Sequence, residues 1–302
     1  MSIAMDALST LSDGLARIVD ASGISVVRVE ARRRRPASGT VWAPEGIIVT
    51  AHHVIEAEDD ISVGLPDGRR VPATLVGRDR TTDVAVLRAE AGGLTPSTWA
   101  GPDGLRVGNL VVGLGRPGQT VRATLGIVSA VGANWRTPTG GQIDRYVQAD
   151  ITMWPGFSGG VFVDVQGKAL GLATTGAMPG RAIAVPVSTL TRVVDTLLTY
   201  GRVRRAYLGV GAHSVRLPAS LERQVGQDGG LLVVSVEPGS PAEQGGLLLG
   251  DVIVAAGGQP LRRLQDLVSL LSADRVGGTV PVRIVRGGRA QDLTVVAGER
   301  DA

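Results

Sequence analysis

Few residues of this chain could do chemistry, and the most suggestive is one serine. Ser158 lies between glycines just past Pro155, in the stretch Trp154-Pro155-Gly156-Phe157-Ser158-Gly159-Gly160-Val161. Glycines allow a tight turn and leave backbone N–H groups uncovered. A serine on such a turn can be exposed, beside donors that receive a developing oxyanion. The plainer alternative is a glycine-rich turn between two strands, so the interpretation depends on partners elsewhere.

A serine nucleophile needs a base, and the base needs a carboxylate that orients it. The chain has three histidines, and two of them, His52 and His53, end an apolar strand. Neighbours on a strand point to opposite faces, so only one of the two can serve a given site. Asp83 precedes the apolar run 84–87 and can reach a core-side pocket, although an aspartate in a turn before a strand is common.

Metal and thiol chemistry are disfavoured by the composition. No third histidine or carboxylate lies at ligand spacing from His52 and His53, so the sequence predicts no metal site and no cofactor. The third histidine, His213, is interpreted as a surface or groove-lining residue rather than a ligand or base. The chain has no cysteine, which excludes a disulfide and a thiol nucleophile.

The composition indicates a β-rich globular protein. The 302 residues suit two domains or one large one, and 43% hydrophobic with 20% charged residues is an ordinary globular composition. The 43 glycines and many short valine-rich runs point to numerous strands and turns. Two sets of about six short strands predict two small barrels or a pair of sandwiched sheets.

The spacing of apolar residues predicts the outer elements. Residues 5–20 and 188–198 have helical spacing. A basic link, 201–205, leads to an α+β unit of about 95 residues, a normal domain size. In that unit we expect a first strand at 207–210 and helices near 241–245 and 264–274. The predicted domains are an N-terminal helical segment (1–22), a first domain (23–200) and a second domain (201–302).

The order of His, Asp and Ser resembles the trypsin-like serine proteases of the HtrA/Deg family. That family has a strand ending Thr-Asn-Asn-His-Val, then Asp-Leu-Ala-Val-Leu, then Asn-Ser-Gly-Gly, and the corresponding segments are Thr50-Ala51-His52-His53-Val54, Asp83-Val84-Ala85-Val86-Leu87 and Phe157-Ser158-Gly159-Gly160. The resemblance implies a mainly β double six-stranded barrel. It makes His53 the base, Asp83 its orienting group and Ser158 the nucleophile, with the N–H groups of Gly156 and Ser158 as the oxyanion hole.

The second domain resembles a PDZ domain. The segment Tyr207-Leu208-Gly209-Val210 is similar to the PDZ loop that binds a peptide's C-terminal carboxylate. The resemblance implies that Leu208, Gly209 and Val210 supply the amides and that the peptide adds as a strand to the sheet edge. The alternative is a hairpin turn in a purely structural domain.

Two departures from the family pattern leave a second function open. Phe157 stands where the family has an asparagine directly before the serine. Trp154, four positions before Ser158, replaces another asparagine of the family. Bulky side chains there could narrow the specificity pocket or hold the loop inactive. The main expectation is an ATP-independent endopeptidase acting on unfolded or misfolded proteins. The alternative is a catalytically impaired chaperone or peptide-binding module with a protease fold.

Partners and location follow from charge and from the resemblance. The net charge of +3 permits anionic partners without requiring them. Residues 32–35 are four consecutive arginines, interpreted as a solvated loop, and the lack of interleaved aromatics disfavours nucleic acid.

No apolar run has transmembrane length, and the N-terminus does not resemble a signal peptide. We therefore expect a cytoplasmic protein, or an extracytoplasmic one if a leader was removed. The resemblance implies a homo-oligomer, a trimer.

Overall fold

Short β-branched strands close into a first antiparallel barrel, in the order β1-β2-β3-β6-β5-β4. The computed structural model describes residues 2–32, 35–101, 103–271 and 275–301. Alternate residues of each strand fill the barrel, among them Val27, Ile48 and Leu87, which are fully buried. The strands are β1 (Val26–Glu30), β2 (Ala37–Ala43), β3 (Ile47–Ala51), β4 (Ser62–Gly64), β5 (Arg70–Asp79) and β6 (Val84–Ala89).

Six further strands close into a second antiparallel barrel, in the order β11-β14-β13-β12-β7-β8. The two barrels decide between the predicted alternatives, and a sandwich is excluded. A short hairpin, β9 with β10, lies outside the second barrel and was not predicted. The strands are β7 (Leu110–Gly115), β8 (Arg122–Gly132), β9 (Trp135–Arg136), β10 (Gln142–Ile143), β11 (Tyr146–Asp150), β12 (Val161–Val163), β13 (Ala169–Thr174) and β14 (Ala182–Val185).

Two amphipathic helices pack on the barrels. Helix α1 (Ser2–Gly23) places Leu15, Ile18 and Val19 against buried residues of β1, β7, β12 and β13. Helix α2 (Val187–Tyr200) buries four apolar side chains against β5 and β6 of the first barrel and β13 of the second. Its last turn is closed by Gly201 at φ +70°. Helix α2 therefore bridges the two barrels.

The remaining strands form a separate α+β unit. The chain divides into two compact units, Met1–Arg202 and Val203–Ala302. The second has a sheet in the order β16-β17-β18-β20-β21 and a small β15–β22 pair. Its elements are β15 (Arg204–Tyr207), β16 (Val210–Arg216), α3 (Ala219–Val225), β17 (Gly229–Val236), α4 (Pro241–Gln244), β18 (Val252–Ala256), β19 (Gln259–Pro260), α5 (Leu264–Leu270), β20 (Thr279–Arg286), β21 (Arg289–Val296) and β22 (Gly298–Asp301).

The strand predicted at 207–210 is wrong. The chain instead leaves β15 at Tyr207 and begins β16 at Val210, with a turn between them. Gly209 makes this turn at φ +84°, where side chains are strained, and a Cβ there would lie 2.3 Å from the Cβ of Ser240. The predicted link at 201–205 is also partly wrong, because β15 begins within it. The end of the helix predicted at 264–274 lies outside the described residues.

In the second unit, an ion pair joins the buried Asp251, directly before β18, to the partly exposed Arg286. Asp251 is 1% exposed and accepts two hydrogen bonds from the Arg286 guanidinium, at 2.7 and 2.8 Å. Burial alone would raise the pKa of Asp251, but hydrogen bonds from Arg286 and from the Leu248 N–H, together with the charge of Arg286, outweigh burial and lower this pKa. Helices of the described ranges are all too short or too polar to cross a bilayer.

Candidate active site

The turn before β6 is built to present Asp83. The buried carboxylate of Asp79 accepts from the Thr81 N–H and from the hydroxyls of Thr81 and Thr82, at 2.6 to 2.9 Å. The chain then reaches Asp83 at φ +59°, a conformation uncommon for a residue other than glycine. These local bonds stabilise the turn, and backbone strain of this kind is frequent at functional sites.

The Asp83 carboxylate is buried and fully engaged. It is 2% exposed. Its Oδ1 accepts from the backbone N–H of His53 at 2.9 Å, and its Oδ2 lies 2.8 Å from Nδ1 of the His53 ring. The hydroxyl of Thr174, at the end of β13, also donates to Oδ2. An ionised carboxylate only accepts, so the His53 proton lies on Nδ1 and Nε2 is left free to accept another.

The structure distinguishes His53 from His52. Both lie in a 3₁₀ turn, His52–Val54, rather than on the end of strand β3 as expected. The His53 ring contacts Asp83, whereas the ring of His52 buries an Nδ1 atom that has no partner among the described residues. Burial lowers the pKa of His52, with the charges of Arg78 and Arg80 acting in the same direction and that of Asp83 against it.

Two arginines hold the backbone of the turn that carries His53. Arg32 donates to the carbonyl of His53 at 2.6 Å and to that of Val54 at 3.1 Å. Arg78 donates to the carbonyl of Ile55 at 3.3 Å. The arginine run predicted to be a solvated loop therefore begins with a structural residue, while Arg33 and Arg34 lie outside the described ranges. No local pattern marked Arg32, because its partners are some twenty residues away.

The serine loop, residues 154–160, is shaped by two tight turns. Gly156 and Gly159 adopt φ +87° and +88°, and hydrogen bonds from Phe157 N to Trp154 O and from Gly160 N to Phe157 O close two tight turns. Within the described part of the chain, the N–H groups of Gly156 and Ser158 donate to no acceptor. Ser158 itself is 9% exposed. The loop thus holds the serine predicted to be the nucleophile beside the two N–H groups predicted to be oxyanion donors, and these roles stay predictions.

The two unusual side chains of this loop have different environments. Phe157 is 1% exposed and packs on β7, where a Cβ at Gly115 would lie 2.9 Å from its ring. Trp154 is 56% exposed. Phe157 is therefore a core residue below the loop, and of the two only Trp154 is available to a substrate.

A hydrogen-bonded seam joins the serine loop to the strand that leads to His53. The carbonyl of Ser158 accepts from the N–H of Ser38 on β2, at 3.2 Å. The carbonyl of Ser38 accepts from the Thr50 hydroxyl on β3, at 2.7 Å. Thr40 of β2 also donates to the carbonyl of Gly159, at 3.1 Å. The first barrel supplies His53 and Asp83, the second supplies Ser158, and the seam holds the two parts together.

The predicted carboxylate loop of the second unit, residues 207–210, also has backbone N–H groups without an acceptor among the described residues. The carbonyls of Leu208 and Gly209 are engaged by Ala242 N at 2.8 Å and Glu237 N at 2.9 Å, whereas their own N–H groups have no acceptor in the described ranges. Val210 begins β16, which is an edge strand of its sheet, and α5 packs beside it. His213 is exposed on β16. No cluster of three metal-ligating side chains occurs among the residues described.

Comparisons with known proteins agree with this architecture. Residues 37–172 match the trypsin-like peptidase domain family and residues 206–296 match the PDZ domain family. A probable periplasmic serine endoprotease, DegP-like, of Pseudomonas savastanoi is 34% identical over 86% of the chain. The putative serine protease HhoB of Synechocystis is 30% identical over 88% of the chain and 67% of its own length. The structure of the HtrA-type protease AlgW with tripeptide superposes with a TM-score of 0.72 and 31% identity, over 94% of this chain and 97% of AlgW.

The chain belongs to the HtrA/DegP family of trypsin-like serine proteases that carry a PDZ domain. The predicted fold class and family resemblance are confirmed. The chain spans about half the length of the DegP-like relatives, 55% of the Pseudomonas protein.

The lowered pKa of the partly buried His52 ring predicts an acid-sensitive first barrel. A histidine whose pKa is lowered on folding favours the folded state above its unfolded pKa, about 6.5, and this contribution is lost as the pH falls below that value. We expect the urea midpoint, followed by tryptophan fluorescence, to fall between pH 7.5 and 5 in the parent and to fall less in His52→Asn. The control His213→Asn should behave like the parent. An equal acid sensitivity in His52→Asn and the parent would contradict the assignment.

Proposed function

We propose that the chain is an ATP-independent serine endopeptidase that hydrolyses peptide bonds of unfolded or misfolded proteins. The observation that carries the proposal is the contact of the buried Asp83 carboxylate with His53 Nδ1. In the same domain, the N–H groups of Gly156 and Ser158 have no acceptor among the described residues. The relatives named as serine endoproteases support it. We further propose the domain boundaries 1–22, 23–200 and 201–302.

The proposed mechanism assigns each residue one step. His53 Nε2 takes the proton of Ser158 as Oγ attacks the scissile carbonyl carbon. The oxyanion accepts hydrogen bonds from the N–H groups of Gly156 and Ser158, each contributing about 3 kcal/mol to transition-state stabilisation. His53 then protonates the leaving amine, and water repeats the sequence on the acyl-enzyme. Asp83 remains ionised and stabilises the imidazolium throughout.

The PDZ unit is proposed to bind peptide C-termini or to regulate the protease. The N–H groups of Leu208 and Gly209, which have no acceptor in the part of the chain that the structure describes, suit a terminal carboxylate. Strand β16 lies at the edge of the described sheet, which suits an added peptide strand beside α5. Val210 is the third proposed contact, at the start of that edge. The solved complexes of AlgW with a tripeptide and a decapeptide show that this relative binds peptides.

The alternative of a catalytically impaired chaperone is less favoured. It depended on Trp154 and Phe157 disturbing the serine loop. Phe157 is enclosed in the second barrel, where it supports the loop from below rather than blocking the cleft. The N–H groups of Gly156 and Ser158 beside it donate to none of the acceptors that the structure describes.

Location and assembly are proposed from the relatives and from α1. The names of the Pseudomonas and Haemophilus relatives include "periplasmic", which favours the extracytoplasmic alternative over the cytoplasmic expectation. A homo-oligomer, a trimer by family resemblance, is proposed with α1 at the contact. Leu8 and Leu11 of this helix are 67% and 48% exposed, although they continue the stripe that packs on the barrels further along.

The proposed nucleophile is tested by labelling. We expect a serine-directed fluorophosphonate to label the parent and not Ser158→Ala, whose kcat on unfolded casein should fall about 10⁶-fold. The control Ser129→Ala removes a partly buried hydroxyl that donates to the Gln148 carbonyl and should retain the parent's labelling and rate. Casein cleavage by Ser158→Ala at the parent rate would falsify the assignment, and an unlabelled parent would favour the impaired-protease alternative.

The proposed carboxylate loop is tested with a fluorescein-labelled decapeptide that ends in an apolar residue. Fluorescence anisotropy should show binding of the free-carboxylate form and at least roughly tenfold weaker binding of its C-terminal amide, since a charged hydrogen-bond acceptor is lost. Gly209→Ala should lose binding because its Cβ meets Ser240. Gly226→Ala, also at positive φ but with open space around the Cβ, is the control. Equal binding of the acid and the amide, or parent-like affinity of Gly209→Ala, would refute the loop assignment.

The proposed assembly is tested by sedimentation velocity over a range of concentrations. We expect the parent to sediment as a trimer. Leu8→Glu combined with Leu11→Glu should sediment as a monomer, because charges would be buried at an apolar contact. Thr10→Glu, on the opposite face of α1, is the matched control. A monomeric parent, or a double variant of unchanged mass, contradicts the proposal.

A further inference from the structure

We infer that Ser38 is a positioning residue that sets the geometry of the oxyanion hole from the opposite barrel. This inference rests on the proposed function, since it takes the N–H groups of Gly156 and Ser158 as the oxyanion donors. Ser38 belongs to β2 of the first barrel and is completely buried. The proposed role is an action through Gly156 and Ser158, without contact between Ser38 and the substrate.

Every polar atom of Ser38 is engaged at the seam between the barrels. Its hydroxyl donates to the carbonyl of Gly156 at 2.6 Å and accepts from the N–H of Arg116 at 2.8 Å. Its N–H donates to the carbonyl of Ser158, and its carbonyl accepts from Thr50. Because a backbone N–H can only donate, the single hydroxyl proton is committed to Gly156.

These contacts hold the serine loop on both sides of Phe157. The peptide plane that contains the Gly156 carbonyl lies between the planes that carry the two oxyanion donors, so its orientation sets the angle between those donors. Glycine at φ +87° has several accessible backbone conformations. The hydrogen bond from the Ser38 hydroxyl to the Gly156 carbonyl therefore selects one of these backbone conformations before the substrate arrives. Oxyanion stabilisation requires this kind of preorganisation.

The hydrogen bond from Arg116 makes the Ser38 hydroxyl itself rigid. The buried guanidinium of Arg116 donates to three backbone carbonyls, those of Val26, Gln119 and Gly23, at 2.6 to 2.9 Å. Arg116 follows β7 directly, and its N–H is thus fixed relative to both β1 and the end of α1. If the Ser38 hydroxyl rotated away from Gly156, the buried N–H of Arg116 would lose its acceptor, and leaving a buried donor unpaired costs free energy.

The test compares Ser38→Ala, which removes the donor, with Ser38→Cys, which keeps a weak one. Rates are normalised to the sites that a fluorophosphonate labels, so a misfolded fraction does not count. We expect Ser38→Ala to lose about 10- to 100-fold in kcat per labelled site, with KM changed less than about twofold. This loss is smaller than the roughly 10²- to 10³-fold loss caused by removing an oxyanion donor, because both donors are still present. Ser38→Cys should fall between the parent and Ser38→Ala.

A peptidyl boronic acid separates this positioning role from a general loss of stability. Its tetrahedral adduct places an oxygen where the oxyanion forms, so its affinity should fall in parallel with kcat in both variants. Ser25→Ala is the matched control, since Ser25 is buried in the turn between α1 and β1 and its hydroxyl bonds only locally, to Ser22 O at 2.8 Å. It should keep the parent's kcat and boronate affinity.

Three outcomes are distinguishable. A parent that is not labelled by the fluorophosphonate refutes the proposed function itself. A labelled parent with unchanged kcat per site in Ser38→Ala and Ser38→Cys refutes only the role of Ser38. A loss of kcat without a loss of boronate affinity also overturns it, because the defect would then lie outside the oxyanion hole.

Discussion

A carboxylate withdrawn from water must be matched by donors, and the Asp83 carboxylate sets this requirement at the centre of the protease unit. Its donors come from both barrels: the backbone and ring of His53 from the first, and the hydroxyl of Thr174 from the second. An unmatched buried carboxylate would cost several kcal/mol. The orientation of the barrels, the turn at Asp79–Asp83 and the tautomer of His53 all depend on meeting that demand.

The seam through Ser38 meets a second demand, which is the fixing of a glycine-rich loop. The loop needs Gly156 and Gly159 for its shape, and those residues give it little rigidity of their own. Rigidity is supplied from outside, by Ser38, Thr40 and the buried ring of Phe157. Helix α2 adds a larger-scale constraint because it packs on strands of both barrels.

Much of the fold and the candidate triad could be predicted because each signal is local. Apolar alternation and turn residues predicted two sets of about six strands, which match the two six-stranded barrels. The short settings of His53, Asp83 and Ser158 carried the family resemblance. What failed was set by distant contacts. Arg32 and Thr174 act on residues far along the chain, and the effect of Phe157 depends on packing against Gly115. The strand predicted at 207–210 failed because Gly209 must pass close to Ser240.

The division of the site between two barrels has a consequence during synthesis of the chain on the ribosome. Synthesis proceeds from the N-terminus, so the first barrel leaves the ribosome with His53 and Asp83 but without Ser158 or the covering hydroxyl of Thr174. A nascent chain at that stage holds the proposed base without the proposed nucleophile, and its Asp83 carboxylate is not yet enclosed. Any hydrolytic capacity therefore appears only when the second barrel closes, after most of the protease unit has been made. The split therefore delays the proposed hydrolytic activity until the protease unit is folded.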